Sequence, residues 1–340
     1  MPPSGKKLNT IQLALIILVL FLLSVISFLF FFPSSSQRVP EEPLSIATGS
    51  GEYSALTLIA DEKGYFKKYG LNVTVRDYPT GVVAMNELQA GNADFAYAAE
   101  FVGVSTSFLP ADFRIITSTS KSDVIALVLR NDRGISKPFD LKGKTIALPK
   151  GTAAEFFLGR YLTLNGMDIH DVTVRYLSPA ELAASIESGD SDAVVIWEPN
   201  AYLITQKLGR NGTKWPAQCG QRFYWVTYTR ADVIRDRSAM IRQYLHALND
   251  AETFIYVNEP EAKAIVQRRM NLTDDHMVTM WGQHRFSLSL DQGLILAMED
   301  EARWMARQNM TGGRPMPSYL DMMYQDPMRE VKPASVTIIR

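Results

Sequence analysis

The chain has 340 residues, with 35 Lys and Arg against 36 Asp and Glu, for a net charge of −1. That length suits one large or two medium domains, and the balanced charge excludes the basic footprint of a nucleic-acid-binding surface. A single cysteine, Cys219, excludes an intramolecular disulfide and a cysteine zinc site; it reads as a small apolar residue, buried or half-buried.

Lys6 and Lys7 precede an apolar run from Ile11 to Phe32, interrupted by Gln12, Ser24 and Ser27 and by no charge. About 20 apolar residues cross a bilayer as a helix, so residues 1–33 are predicted to be an N-terminal transmembrane helix that anchors the chain in the cell membrane. The two lysines place its N-terminus in the cytoplasm, and the folded part in the periplasm or outside the cell. A cleaved signal peptide is the rival reading. Its apolar core is usually about 7–15 residues and ends in small residues, whereas this run ends Phe30-Phe31-Phe32-Pro33. Residues 34–43, rich in Ser and Pro, read as an extended linker.

From there strands alternate with helices. Leu44–Ala47 reads as a strand, Tyr53–Lys68 as a helix ended by Gly70, and Leu71–Tyr78 as a strand with one buried face. Thr80-Gly81 turns into a helix over Val82–Ala90, followed by strands over Ala93–Ala99, Phe113–Thr119 and Val124–Arg130. A second set follows: strand Thr145–Leu148, helix to Leu164, strand Val172–Leu177, helix Pro179–Ser188 with proline at its start, strand Ala193–Trp197 and helix Pro199–Leu208. Phe223–Thr229 is a strand returning the chain to the first set. The remainder reads as helical, over Asp236–Tyr256, Pro260–Arg269 and Leu290–Gln308. Alternation of this kind predicts an α/β fold with a parallel or mixed sheet in each of two lobes: 44–130 with 223–340, and 131–222. The crossings near Val128–Asn131 and Phe223–Thr229 are the predicted hinges.

The two lobes echo one another. Gly91-Asn92-Ala93-Asp94 begins a phrase that ends in Glu100, and Gly189-Asp190-Ser191-Asp192 begins one that ends in Glu198. Val73-Thr74-Val75-Arg76 recurs as Val172-Thr173-Val174-Arg175, and Ile46-Ala47 before Gly51 recurs as Ile146-Ala147 before Gly151, all offset by roughly a hundred residues. That period exceeds the 20–50 residues of solenoids and fits a duplicated lobe.

In open α/β sheets ligands lie beyond the C-terminal ends of the strands. This selects Gly51, Glu52, Tyr53, Thr80, Gly81, Glu100 and Phe101 from one lobe, and Thr152, Ala153, Trp197 and Glu198 from the other. The helix start at Thr152 and Ala153 offers backbone N–H groups to an oxyanion, although Thr152 also suits a simple N-cap. Trp197, Trp225, Tyr53, Tyr97 and Phe101 are candidate aromatic walls. Glu100 and Glu198 are expected to reach the same cleft and accept hydrogen bonds from a ligand donor. Their alternative role is to place negative charge at a helix N-terminus. The four histidines have no metal-ligand spacing, and no catalytic set or cofactor motif is evident.

The passages Ala60-Asp61-Glu62-Lys63-Gly64-Tyr65-Phe66, Leu88-Gln89-Ala90-Gly91-Asn92-Ala93-Asp94-Phe95, Asp140-Leu141-Lys142-Gly143-Lys144-Thr145-Ile146-Ala147 and Asp192-Ala193-Val194-Val195-Ile196-Trp197-Glu198-Pro199 carry a family resemblance. Together they resemble the periplasmic solute-binding proteins of ABC importers for taurine, alkanesulfonates, nitrate and thiamine-pyrimidine precursors. The resemblance implies the two-lobe periplasmic-binding-protein fold, with hinge-linked α/β lobes closing on a small-molecule ligand. It implies permease and ATPase subunits as partners, and ligand contacts at Gly51, Gly81, Glu100, Thr152 and Glu198. Pyrimidine-synthase relatives use a cysteine-rich motif, so the lone Cys219 argues against an enzyme. A membrane-anchored ligand-sensing ectodomain is the other alternative.

Overall fold

The computed structural model describes residues 9–10, 14–15, 17–21, 41–49 and 51–339, and the chain divides into two units, Met1–Pro40 and Glu41–Arg340. The predicted membrane span and linker lie for the most part outside the described residues. Among the described residues, no helix is long and apolar enough to cross a membrane.

The unit Glu41–Arg340 is built on two sheets. The first has seven strands in the order β12-β11-β4-β10-β3-β1-β2. These are β1 (Glu42–Gly49), β2 (Leu71–Tyr78), β3 (Phe95–Ala99), β4 (Arg114–Ser122), β10 (Phe223–Thr229), β11 (His284–Asp291) and β12 (Val336–Thr337). The second has five strands, β7-β6-β8-β5-β9, formed by β5 (Ile125–Arg130), β6 (Thr145–Leu148), β7 (Thr173–Tyr176), β8 (Ala193–Trp197) and β9 (Gly212–Pro216).

The duplication visible in the sequence is a duplication of topology. β2-β1-β3 pair in parallel, as do β7-β6-β8. An antiparallel strand then flanks each set, β10 beside β3 and β5 beside β8.

The repeated phrase has a structural reason. Asp94 Oδ2 accepts from the backbone N–H and the hydroxyl of Ser45, both at 2.8 Å. Asp192 Oδ2 accepts from the Thr145 N–H at 2.9 Å. Each aspartate thus fastens the start of the central parallel strand to the loop entering its neighbour. Gly91 and Gly189 precede them in the left-handed region, with φ of 79° and 86°, where glycine ends a helix without strain.

Several expectations are corrected. Ile125–Arg130 pairs with β8 and β9, so the chain leaves the first sheet between Ser122 and Ile125 rather than after residue 130. The crossings therefore lie at Asp123–Val124 and at residues 217–222. Both are held by Gln218, which is fully buried. The predicted helix Tyr53–Lys68 is a turn over Glu52–Ser54, a helix over Ala55–Glu62 and a last turn over Tyr65–Lys68, divided at the left-handed Gly64. The segment before Leu290 is a strand with His284, Phe286, Leu288 and Leu290 inward, and the helix starts only at Gln292. Cys219 is exposed, held in a left-handed turn at φ 51°.

Candidate functional site

Strand ends from both sheets frame one cavity. Tyr53 follows β1, Gly81 opens the helix after β2, and Ala99 ends β3. Thr152 and Ala153 follow β6, and Trp197 ends β8. Phe223 and Trp225 come from β10, and Ile125 from β5. Together with Gly49 and Val102 these residues line the cavity, and among the described residues no charged side chain does.

Its wall is aromatic. The Tyr53 ring tilts onto Trp225 with centroids 4.1 Å apart and meets Phe223 edge-on at 5.9 Å. The rings nearly fill the space, leaving about 30 Å3, roughly the volume of one water molecule.

A helix start also borders the cavity. The hydroxyl of Thr152 donates to the Pro149 carbonyl at 2.7 Å, so it does not cap the helix Ala153–Leu164. The first-turn N–H groups of a helix have no partner within it. Ala153, the first residue of that helix, lines the cavity, so the partial positive charge of the helix N-terminus lies beside it. Gly81 brings a second helix start to the same space, behind a Thr80 whose hydroxyl accepts from the Val83 N–H at 3.3 Å.

The chain matches the NMT1/THI5-like family model over residues 52–262. It belongs to the NMT1/THI5-like family. Among curated relatives, a candidate binding protein of Brucella abortus is 27% identical over 237 residues, covering 66% of this chain and 70% of its own length. A candidate aliphatic sulfonates-binding protein of Bacillus subtilis is 33% identical over 157 residues, 45% of this chain and 47% of that protein. The alkanesulfonate-binding protein SsuA of Xanthomonas axonopodis, solved with MOPS, superposes with a TM-score of 0.72 at 18% identity, over 83% of this chain and 98% of that one. The desulfurization enzyme DszB, solved with biphenyl-2-sulfinic acid, superposes at 0.64 and 15% identity, over 86% and 99%. Likenesses at such identities establish the periplasmic-binding-protein fold, on which both binders and an enzyme occur.

Within this NMT1/THI5-like chain, Tyr53, Gly81, Thr152, Ala153 and Trp197 come together as the strand-end rule suggested. The other candidates lie elsewhere. Thr80 caps its helix, and Gly51 lines a neighbouring cavity. Phe101 is core, packed on Phe156 and Trp304 at 5.9 Å each. Glu52 is buried against the His276 imidazole. Tyr97 is fully buried, its hydroxyl accepting from Thr57 at 2.8 Å.

The two carboxylates do not meet. Glu198 is buried, ion-paired to Lys214, and accepts from the Tyr202 N–H at 2.8 Å. It serves the first turn of the helix Asn200–Leu208 and lines a separate cavity with Asp123 and Thr279. Glu100 is fully buried, and its carboxylate oxygens make no hydrogen bond among the described residues. Burial pushes its pKa up to about 8, against a smaller opposing pull from the nearby N–H groups of Tyr224, Glu100 and Phe101. Glu301 lies close by, raised well above the ordinary carboxylate range by burial and then by the Glu100 charge. Among the described residues no cluster of three or more His, Cys, Asp or Glu side chains is arranged to hold a metal.

Phe223, Ile125, Ala99 and Val102 were absent from the sequence-based selection. Phe223 and Ile125 sit at the N-terminal ends of antiparallel strands, where the strand-end rule for parallel sheets does not look.

Proposed function

We propose that this protein is the solute-capturing component of an ABC importer, and that its solute is an organic sulfonate. One observation carries the reading: a single cavity is lined both by a helix start, at Ala153, and by the aromatic rings of Tyr53, Phe223 and Trp225. A sulfonate head matches uncapped helix N–H groups. A hydrocarbon or aryl body matches the rings, where burial contributes about 25 cal/mol per Å2 of apolar surface. Small inorganic anions such as nitrate gain only the first part.

This reading differs from one built on Glu100 and Glu198. A carboxylate in the cavity would favour a ligand with a donor at its centre, but neither Glu100 nor Glu198 lines the cavity. The names of the sequence relatives support the sulfonate class, and the binding proteins among them support capture rather than turnover. On this reading the lobes, 41–122 with 223–340 and 125–216, close about the crossings that Gln218 holds. Residues 11–32 tether the protein to the membrane, outside the cytoplasm and beside its permease and ATPase partners.

The test is isothermal titration of the folded part with methane-, butane- and benzenesulfonate and with nitrate. Sulfonate binding that strengthens with apolar area is expected. A protein that binds nitrate as well as any sulfonate, or binds no sulfonate, would overturn the reading. Mass measurement of the mature protein tests the tether: a start within 34–38 would mean cleavage.

A further inference from the structure

The helix Ala153–Leu164 follows β6 and begins at the aromatic cavity, yet its packing is shared between the lobes. Phe156, in its first turn, lies against two rings of the other lobe. Phe101, from the helix Glu100–Ser107, is 5.9 Å away with the ring planes 24° apart. Trp304, from the helix Gln292–Arg307, is 5.7 Å away and edge-on. Trp304 also meets Phe101 at 5.9 Å. None of the three residues is more than 5% exposed.

One apolar core therefore runs through this helix from lobe to lobe. It joins Ile46 and Phe95 of the first sheet to Leu148 and Val195 of the second. The opposite face of the second sheet, with Val128 and Val194, has a core of its own. The backbone crosses between the lobes at Asp123–Val124 and at residues 217–222. The ring contacts are a further tie, made by side chains alone.

Gly159 marks where that tie is tightest. It sits inside the helix, where glycine is a poor helix former. A Cβ built on it would lie 2.5 Å from Cζ2 and 2.6 Å from Nε1 of Trp304, well inside the separation of packed atoms. The indole thus rests directly on the helix backbone, and no larger residue fits beneath it. Held by Phe101 and Phe156, the ring is a stop of fixed size. Gly159 and Ala153 are six residues apart on one helix, about 9 Å, so a shift at one moves the other.

We propose that Trp304 is a positioning residue for the solute site. Seated on Gly159, it sets how closely the helix Ala153–Leu164 approaches the first lobe. It thereby fixes the width of the cavity that Ala153 and the rings of Tyr53 and Trp225 line. Trp304 itself does not line that cavity and acts through the helix. Because the contact belongs to a continuous core, it persists as the lobes turn about it. This rests on the reading that the cavity holds the solute.

The experiment is a double-mutant cycle of Gly159→Ala and Trp304→Leu, with folding checked by circular dichroism and affinity for butanesulfonate measured by isothermal titration. Alanine is the better helix former, so Gly159→Ala does not weaken the helix itself. It should lower affinity about tenfold or more, because the added methyl pushes the helix off the indole. With Trp304→Leu already in place the same change should cost about threefold or less, because the ring it collides with is gone. Trp304→Leu introduces no collision and should lower affinity alone, because the helix loses its stop. Wild-type affinity in a folded Gly159→Ala protein, or the same loss in both backgrounds, overturns the proposal. Should Gly159→Ala not fold, wild-type affinity in Trp304→Leu overturns it. A wild type that binds no sulfonate overturns the sulfonate reading, and small-angle scattering without ligand then decides the role of Trp304. A larger radius of gyration in Gly159→Ala than in the wild type, absent from the double variant, supports it, and equal radii overturn it.

Discussion

The side chain of Gln218 holds Val124: its Oε1 accepts the Val124 N–H at 2.6 Å and the Ile125 N–H at 2.8 Å. Its Nε2 donates to the carbonyls of Ser122 at 2.9 Å and Gln221 at 2.8 Å. One amide therefore ties the outgoing crossing between the sheets to the returning one. Gln218→Ala would strand two backbone N–H groups and a carbonyl in a buried place, each unpaired group costing about 1–3 kcal/mol. A loss of about 3 kcal/mol or more in urea denaturation is expected. A loss below about 1 kcal/mol would mean that water or neighbouring groups take over and that Gln218 is not the tie.

Glu100 and Glu301 give the protein a stability that depends on pH. Both have folded-state pKa values raised by burial, Glu100 to about 8. Between the ordinary value of 4.5 and about 8, the folded state binds more protons than the unfolded one. Stability from this pair is therefore fully present below the unfolded pKa and is lost as pH rises through the folded one. Melting temperature should fall from pH 5 to pH 8 in the wild type. In Glu100→Gln and in Glu301→Gln the slope should be shallower, because each removes one carboxyl that must ionise. Parallel slopes in all three proteins would show that the pair does not set the trend.

Glu198→Gln should change stability rather than affinity. The carboxylate bridges Lys214 and the first turn of the helix Asn200–Leu208. Removing its charge weakens a hydrogen bond to a charged group, worth about 1.5–3 kcal/mol, so a loss of about 1–2 kcal/mol is expected, with sulfonate affinity within about twofold of wild type. A tenfold loss of affinity at unchanged stability would return Glu198 to the ligand site.

Sequence patterns that act locally were legible. Pro179–Ser188, Ala193–Trp197 and Phe223–Thr229 have the same limits in sequence and structure, because a proline at a helix start and runs rich in apolar, aromatic and β-branched residues carry their own boundaries. β9 was not legible. Gly212–Pro216 has no inward-facing apolar alternation, and its pairing depends on the free edge of β5. β11 does alternate, through Phe286, Leu288 and Leu290, but Leu290 also fits the apolar spacing of the helix that follows. In the candidate site, the strand-end rule led to several of the junctions that line the cavity and not to all of the side chains there. Ala99 faces the cavity while Glu100, one residue on, turns into the interior beside Glu301. A side chain's direction at a strand–helix junction depends on the first helical turn, and residue spacing does not encode it.

The last prediction concerns the backbone at Ala153. Proline is tolerated at the first position of a helix, where the N–H has no intrahelical partner and the fixed φ already suits the helix. The preceding residue must be extended, and Thr152 is, at φ −101° and ψ 166°. Ala153→Pro should therefore leave the helix Ala153–Leu164 and the melting temperature close to wild type. It deletes the N–H donor of a residue that lines the cavity and puts a ring methylene in its place. If a sulfonate sits on this helix start, the variant loses a hydrogen bond to a charged group, about 1.5–3 kcal/mol, or roughly tenfold to a hundredfold in affinity. Isothermal titration with butanesulfonate measures it. Undiminished binding by a folded Ala153→Pro protein would move the anion away from Ala153, and the helix start at Gly81 would be the next place to look.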